Sequence, residues 1–318
     1  MIDKNLLDLY TSIVYTHIHN KPTGGIVMRY YVSTSERGIN RESLPFKLYE
    51  KAKKFGVWDP RDIDFSKDKA DWESLTTEQR DSLLQLIAFF YSAEEAVTHD
   101  ILPMIYAVSK LGHFEEEMYL TTFLFEEAKH TDFFNLFLQN IGIKGDLNYL
   151  HSPIYRKLFD EIVPETMSRL LQDQSPKALA DAAIVYNMFA EGVLAETGYW
   201  SFYESLVNIG KLPGLLEGIT NIKRDESRHI GFGTFLLQRL ISENTDMFEY
   251  ALNKLGELMP IAIEMNETMR ADEVSPFGVK KSDGQAFMMK QLNVRIEVLK
   301  RAQGKTLEEL YKTDVIFE

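Results

Sequence analysis

The chain has 318 residues, 45% of them hydrophobic, and a formal net charge of −13. That size and apolar content allow a large core in one or two domains. The acidic balance disfavours a nucleic-acid-binding surface. The absence of cysteine excludes disulfides, thiolate metal sites and iron–sulfur clusters, leaving oxygen and nitrogen as the available ligand atoms. The N-terminus carries no charged-then-apolar leader pattern, and no apolar run approaches the roughly 20 residues of a membrane span. The expectation is a cytoplasmic protein that is not an integral membrane protein.

In chain order, residues 1–45 mix polar, aromatic and Gly-Gly elements without a period. Trp58-Asp59-Pro60 to Asp71 reads as an extended, turn-rich lead-in, giving an N-terminal arm over 1–70. Thr76 to Gln79 has the spacing of a capping box and opens a helix through about Ala107, which Pro103 kinks or ends. A second helix covers about Phe114 to Asn140 and stops at Gly142, and a third covers roughly 154–171. Ser175-Pro176 is an N-cap followed by proline at the first helical position, starting a helix to about Asn208. Pro213 starts another to about Glu243, and two more follow near 246–271 and 283–303 before a short acidic end. No strand alternation, internal repeat or linker interrupts this pattern, so the reading is one all-α domain over 1–318.

Two strings inside those helices share a spacing: Glu127-Ala128-Lys129-His130 and Glu226-Ser227-Arg228-His229. Each is Glu-x-x-His, and residues three apart share a helix face. Each is preceded by a helix with a single glutamate, Glu94 or Glu191, at separations of 33 (127 − 94) and 35 (226 − 191). Glu94 lies in LLQLIAFFYSAEEAV and Glu191 in AAIVYNMFAEGVLAETGYW, stretches apolar nearly all round and without a basic residue. A carboxylate buried there needs a partner. Four glutamates and two histidines on four helices form the ligand set of a carboxylate-bridged dimetal site. Glu94, Glu127 and His130 would hold one ion and Glu191, Glu226 and His229 the other, with Glu127 as the bridge. The donor set suits iron or manganese, whereas zinc would bind without redox chemistry. Asp225 is the candidate acid to orient His130.

The order Glu94, Glu127-x-x-His130, Glu191, Asp225-Glu226-x-x-His229 resembles the small subunit of ribonucleotide reductase and its relatives over about residues 55–245. The segment Trp58-Asp59-Pro60-Arg61-Asp62-Ile63-Asp64 resembles the tryptophan segment of that superfamily. The resemblance implies a ferritin-like helical bundle with additional helices, and a contact from Trp58 to Asp225 and hence to His130. Where a conventional small subunit carries its radical-forming tyrosine, this chain has Phe134, which also occurs in small subunits with a manganese–iron centre. Val97, three residues after Glu94, and Tyr186, five before Glu191, make a combination similar to the ligand-binding oxidases of the superfamily. That similarity implies a manganese–iron cofactor, a bound long-chain fatty acid and an ether cross-link between Val97 and Tyr186. It places manganese at Glu94/Glu127/His130 and iron at Glu191/Glu226/His229, with di-iron as the alternative, and it implies a homodimer.

On ideal helices Val97 is about 60° round from Glu94, compatible with lining the site, whereas Tyr186 is about 140° from Glu191 and off its face. Tyr199, about 80° round from Glu191, is a candidate for the pocket near the metals. Glu196 is a weaker candidate for an outer contact. Glu95 and Glu126, about 100° round from their neighbouring ligands, are expected to face elsewhere. His17, His19, His99, His113 and His151 fall outside the ligand spacing. The expected function is a dioxygen-activating oxidase performing a two-electron carbon–hydrogen oxidation beside a fatty-acid-like ligand. The alternatives are a reductase small subunit passing an oxidising equivalent to a larger partner, with Tyr311 the only relay tyrosine near the end, or a non-catalytic metal-storage protein.

Overall fold

The computed structural model describes residues 31–269 and 272–311. The stretch through residue 30, with His17 and His19, and the acidic end beyond Tyr311 lie outside the described residues. The chain divides between Ile39 and Asn40, and everything below concerns the unit beginning at Asn40. Among the described residues there is no strand, only an isolated bridge between Val274 and Lys280.

Seven longer helices matter for the site. Helix α1 (Leu44–Phe55) is an element the sequence reading passes over. Ser43 caps it by accepting from Phe46 N at 3.3 Å, Pro45 sits in its first turn, and Gly56 ends it. Helix α2 (Thr77–Asp100) opens on the expected capping box: Gln79 N donates to Thr76 Oγ1 at 3.2 Å and Thr76 N to Gln79 Oε1 at 3.1 Å. It ends ahead of Pro103, which has no N–H to continue the ladder, and a separate helix runs from Leu102 to Leu111. Helix α3 (Phe114–Asn140) stops before Gly142, whose φ of 79° turns the chain away.

Helix α4 (Pro176–Ile209) begins at Ser175, whose hydroxyl accepts from Ala178 N at 3.3 Å. By length and apolar content it matches a membrane-crossing helix, but 89% of its apolar window is buried inside the protein, as in a core helix. Its middle, Ala183–Ala195, is wound as a π-helix. Helix α5 (Pro213–Glu243) is capped from a distance. Leu212 precedes it at a φ of 59°, a left-handed conformation costly for leucine. No local side chain caps this start. Instead Asp68, on the short helix Asp68–Glu73, accepts from Gly214 N at 3.0 Å and Leu215 N at 2.8 Å, and Asp71 accepts from Leu212 N at 2.9 Å. Two carboxylates at a helix N-terminus satisfy its orphan donors and complement its dipole. Helices α6 (Asp246–Met269) and α7 (Lys281–Lys300) complete the set.

Helices α2 and α3 pack as one pair, and the π-wound part of α4 packs with α5 as the other; α1 lies on α3 and α5, and α7 on α4. The core is dominated by fully buried aromatic and branched residues, among them Phe123, Phe133, Phe134, Phe189 and Phe232. Each of the four central helices therefore presents one stripe to a shared interior.

Candidate metal centre

The stripe carries the charge. Glu94 comes from α2, Glu127 and His130 from α3, Glu191 from α4, and Glu226 and His229 from α5, and none of the six is more than 6% exposed. Their atoms form two groups whose potential ligand atoms lie within 4.8 Å of one another: Glu94, Glu127, His130 and Glu226, and Glu127, Glu191, Glu226 and His229. Glu127 belongs to both, as the bridging expectation requires. Glu226 also belongs to both, whereas the sequence reading gives it to one ion.

Both imidazoles turn Nδ1 inward and Nε2 outward. His130 Nδ1 lies 3.2 Å from Glu226 Oε1 and 3.3 Å from Glu94 Oε2; His229 Nδ1 lies 3.0 Å from Glu127 Oε1 and 3.2 Å from Glu226 Oε2. On the outer side, Asp225 Oδ2 sits 3.2 Å from His130 Nε2 and accepts from Trp58 Nε1 at 2.8 Å. Trp58 stacks near the His130 ring at 6.2 Å, with the Lys129 ammonium 4.5 Å over its own ring and 2.8 Å from Asp225.

Glu126 does not face elsewhere. Its Oε2 lies 2.9 Å from His229 Nε2, so it serves His229 as Asp225 serves His130. The 100° offset that separates Glu126 from Glu127 on α3 points it toward α5, where His229 is. Arg228 then joins the two acids, its Nη2 lying 2.5 Å from Glu126 Oε1 and 2.5 Å from Asp225 Oδ1. Gly56, just after α1, closes the outer side: a side chain there would fall on Glu126 Oε1, and its carbonyl accepts from Lys129 Nζ at 2.6 Å.

The π-helix corrects the Tyr186 geometry. Hydrogen bonds from i to i+5 set residues five apart nearly above one another, so Tyr186 and Glu191 share a face instead of standing about 140° apart as on an α-helix. Tyr186 Oη is 3.4 Å from Glu127 Oε1. Asn187, which the sequence reading missed, donates from Nδ2 to Glu191 Oε2 at 2.9 Å; its signal is an amide four residues before a core glutamate. Tyr199 Oη donates to Glu94 Oε1 at 3.2 Å. Glu196 is buried between the charges of Lys223 and Arg295 and makes no part of either ligand group. Phe134 packs among Phe90, Phe133 and Phe202. His151 bonds to the Ala88 carbonyl at 3.3 Å, and neither it, His99 nor His113 enters the ligand groups.

The electrostatics of this interior ask for cations. Burial, together with the neighbouring Glu226 charge, pushes Glu191 up to about 8 and Glu127 well above the usual carboxylate range. Burial disfavours charge on both histidines too, but Glu94 and the Asp225 and Glu226 contacts outweigh it at His130, and Glu226 and Glu127 at His229. Both imidazoles are held well above their ordinary value. Burial also raises Asp225, yet His130, Lys129 and Arg228 outweigh it and hold its carboxyl far down. Glu191 Oε1 has no hydrogen-bond partner although it is fully buried. Four inward carboxylates, two inward imidazole nitrogens and an orphaned carboxylate oxygen fit two divalent cations, whose charge balances the carboxylates while the imidazoles stay neutral.

Two cavities adjoin the cluster. The smaller, about 40 Å³, is lined by Val97 and Tyr186 together with Glu94, Glu127, Glu191 and Glu226. The larger, about 320 Å³, shares Phe90, Ala93, Phe159, Ala190 and Ala195 with it.

A family model described as the small chain of ribonucleotide reductase matches residues 46–303. The chain belongs to that family. Solved structures sort it further. An R2-like ligand-binding oxidase with an aerobically reconstituted Mn/Fe cofactor is 40% identical, at a TM-score of 0.81, over 86% of this chain and 98% of its own. A glycine-to-leucine variant with an Fe/Fe cofactor matches at 40% identity and TM-score 0.81 over 86% and 99%. A glycine-to-phenylalanine variant with Mn/Fe matches at 40% and 0.78 over 82% and 98%. The ferritin-like fold of the reductase small-chain family and a buried carboxylate–histidine cluster able to hold two ions are therefore properties of this chain, and Mn/Fe and Fe/Fe are the cofactors of its structural neighbours. Its likeness is to the dimetal ligand-binding oxidases.

Proposed function

We propose that this protein is a dioxygen-using manganese–iron oxidase that binds a long-chain, fatty-acid-like ligand and joins Val97 to Tyr186 by an ether bond. The observation that carries the reading is the pairing of Val97 and Tyr186 in one small cavity beside the glutamates, a pairing the π-wound backbone of α4 makes possible. Glu94, Glu127 and His130 would hold manganese and Glu191, Glu226 and His229 iron, Glu127 and Glu226 being members of both groups. The bound metal pair supplies the means to reduce dioxygen and so draw two electrons from a carbon–hydrogen bond.

The remaining work falls to the chain. Asp225 and Glu126 fix the imidazole rings through Nε2 and keep Nδ1 turned inward. Asn187 and Tyr199 hold Glu191 and Glu94 each by one oxygen, leaving the other for a ligand role. Phe90, Phe159, Ala190 and Ala195 exclude water and provide an apolar wall against which an acyl chain packs. The cross-link joins Tyr186 Oη to a Val97 carbon with net loss of two hydrogen atoms, as two protons and the electron pair that dioxygen takes up.

Peptide mass spectrometry after aerobic reconstitution with manganese and iron tests this reading. It predicts a joined pair of peptides containing Val97 and Tyr186, two hydrogens lighter than their sum and absent when oxygen is withheld. Unlinked peptides in metal-loaded, oxygen-exposed protein would overturn it in favour of a reductase small subunit.

A further inference from the structure

The π-wound stretch of α4 is fastened from outside its own helix. Helix α7 packs along it, and Arg295 of α7, only 5% exposed, donates from Nε to Gly192 O at 3.4 Å. Gly192 directly follows Glu191, close to where the π-winding gives way to the α-helical part that begins at Glu196. There Glu196 N–H donates to Glu191 O, five residues back, and to Val193 O. An ordinary α-helix sends that N–H to Gly192 O, four residues back. Arg295 thus gives Gly192 O a donor in place of the one that α-helical winding would supply. A Cβ at Gly192 would stand 3.0 Å from Arg295 Nε, so the glycine opens the approach. Glu196, itself 9% exposed, provides a counter-charge that offsets the burial of the guanidinium.

We infer that Arg295 is a positioning residue for the metal centre: by holding the Gly192 carbonyl it keeps α4 π-wound, and so keeps Tyr186 and Glu191 on one face. Arg295 belongs to neither ligand group and lines neither cavity, so it acts through the α4 backbone. Long π-wound stretches are rare, and five-residue bonding competes with the α-helical ladder at every residue. Without the arginine, Glu196 N–H closes on Gly192 O, and Tyr186 turns off the face of Glu191. The inference rests on the reading above in taking Glu191 as an iron ligand and Tyr186 as the cross-linking partner.

Crystals of Arg295→Met, grown without oxygen at limiting iron(II), test it, with anomalous diffraction at the iron edge reading the occupancy of each position. The variant is expected to show Glu196 N–H bonded to Gly192 O. Occupancy at Glu191/Glu226/His229 relative to Glu94/Glu127/His130 should fall about three- to tenfold from the wild-type ratio. Arg295→Lys, which keeps the charge and a donor, should recover part of that ratio. Gly192→Ala, which places a Cβ against Nε, should reproduce the loss with Arg295 still present, and it carries the test if Arg295→Met does not fold. After aerobic loading with manganese and iron, the yield of joined Val97 and Tyr186 peptides should fall in the same variants. Wild-type winding and wild-type occupancy ratio in Arg295→Met, or in Gly192→Ala if only that variant folds, overturn the role of Arg295. Unlinked peptides already in the wild type overturn the ether reading instead, and the winding and occupancy still decide the role of Arg295.

Discussion

Glu126 and His229 meet at 2.9 Å across the interface between α3 and α5, so the helix that supplies one Glu-x-x-His pair also orients the imidazole of the other. Asp225 returns the arrangement from α5 to His130. Each imidazole is thus held by an acid that directly precedes the glutamate of the opposite motif, and Arg228 binds both acids. Glu126→Gln should weaken metal binding at the Glu191/Glu226/His229 position by about 10- to 100-fold, the usual cost of removing such a partner. Competition against a chelator with metal analysis measures this, and Glu95→Gln, one residue from Glu94, should leave the affinity unchanged.

Gly233 on α5 makes room for Asn187. A Cβ at Gly233 would stand 2.0 Å from the Asn187 Cβ, so Gly233→Ala must displace the side chain that positions Glu191. The expected result is a loss of about 1–3 kcal/mol in the metal-free protein, with reduced loading of the Glu191 position. Chemical denaturation and metal titration read the two effects separately.

Metal-free protein should lose stability as pH rises. Glu191, raised to about 8, and the two histidines, raised above their ordinary value, hold protons more tightly folded than unfolded. Such groups give their full stabilisation below their unfolded values and lose it as pH climbs through the folded ones. The melting temperature of metal-free protein should therefore fall between about pH 5 and about pH 8. Saturating metal, which replaces those protons, should flatten the decline. A melting temperature that rises over that range without metal contradicts this reading of the cluster.

Asp68 stands in for a missing cap. Asp68→Asn keeps the side chain's shape but removes the charge facing the α5 N-terminus, and Asp68→Ala also leaves Gly214 N and Leu215 N unpaired. Alanine should cost about 1–3 kcal/mol and asparagine less, as measured by denaturant unfolding.

The clustering of the six candidate ligands was legible because it depends only on helical periodicity and on glutamates in stretches without basic residues. Helix starts were legible where the cap is local, as at Thr76 and Ser175. Contacts made between helices were not. Glu126 looks idle beside Glu127 until α5 brings His229 to it, and the capping of α5 by Asp68 joins residues 146 and 147 apart in the sequence. Helix α1, LPFKLYEKAKKF, gives little periodic signal because its buried residues other than Ala52, namely Leu44, Pro45, Phe46 and Leu48, crowd into its first five positions. Ideal α-helical geometry puts Tyr186 off the site because the chain there is π-wound. Nothing local in AIVYNMFAEGVLA announces five-residue hydrogen bonding, whereas the family resemblance located the tyrosine without it.

The proposed cofactor is two different ions held between the four helices. Anomalous diffraction at the manganese and iron edges, from crystals of protein loaded aerobically with both metals, tests it most directly. Two peaks per chain are expected, manganese beside Glu94 and His130 and iron beside Glu191 and His229, with Glu127 and Glu226 between them. A single ion, or metal bound anywhere but within these six residues, would contradict it.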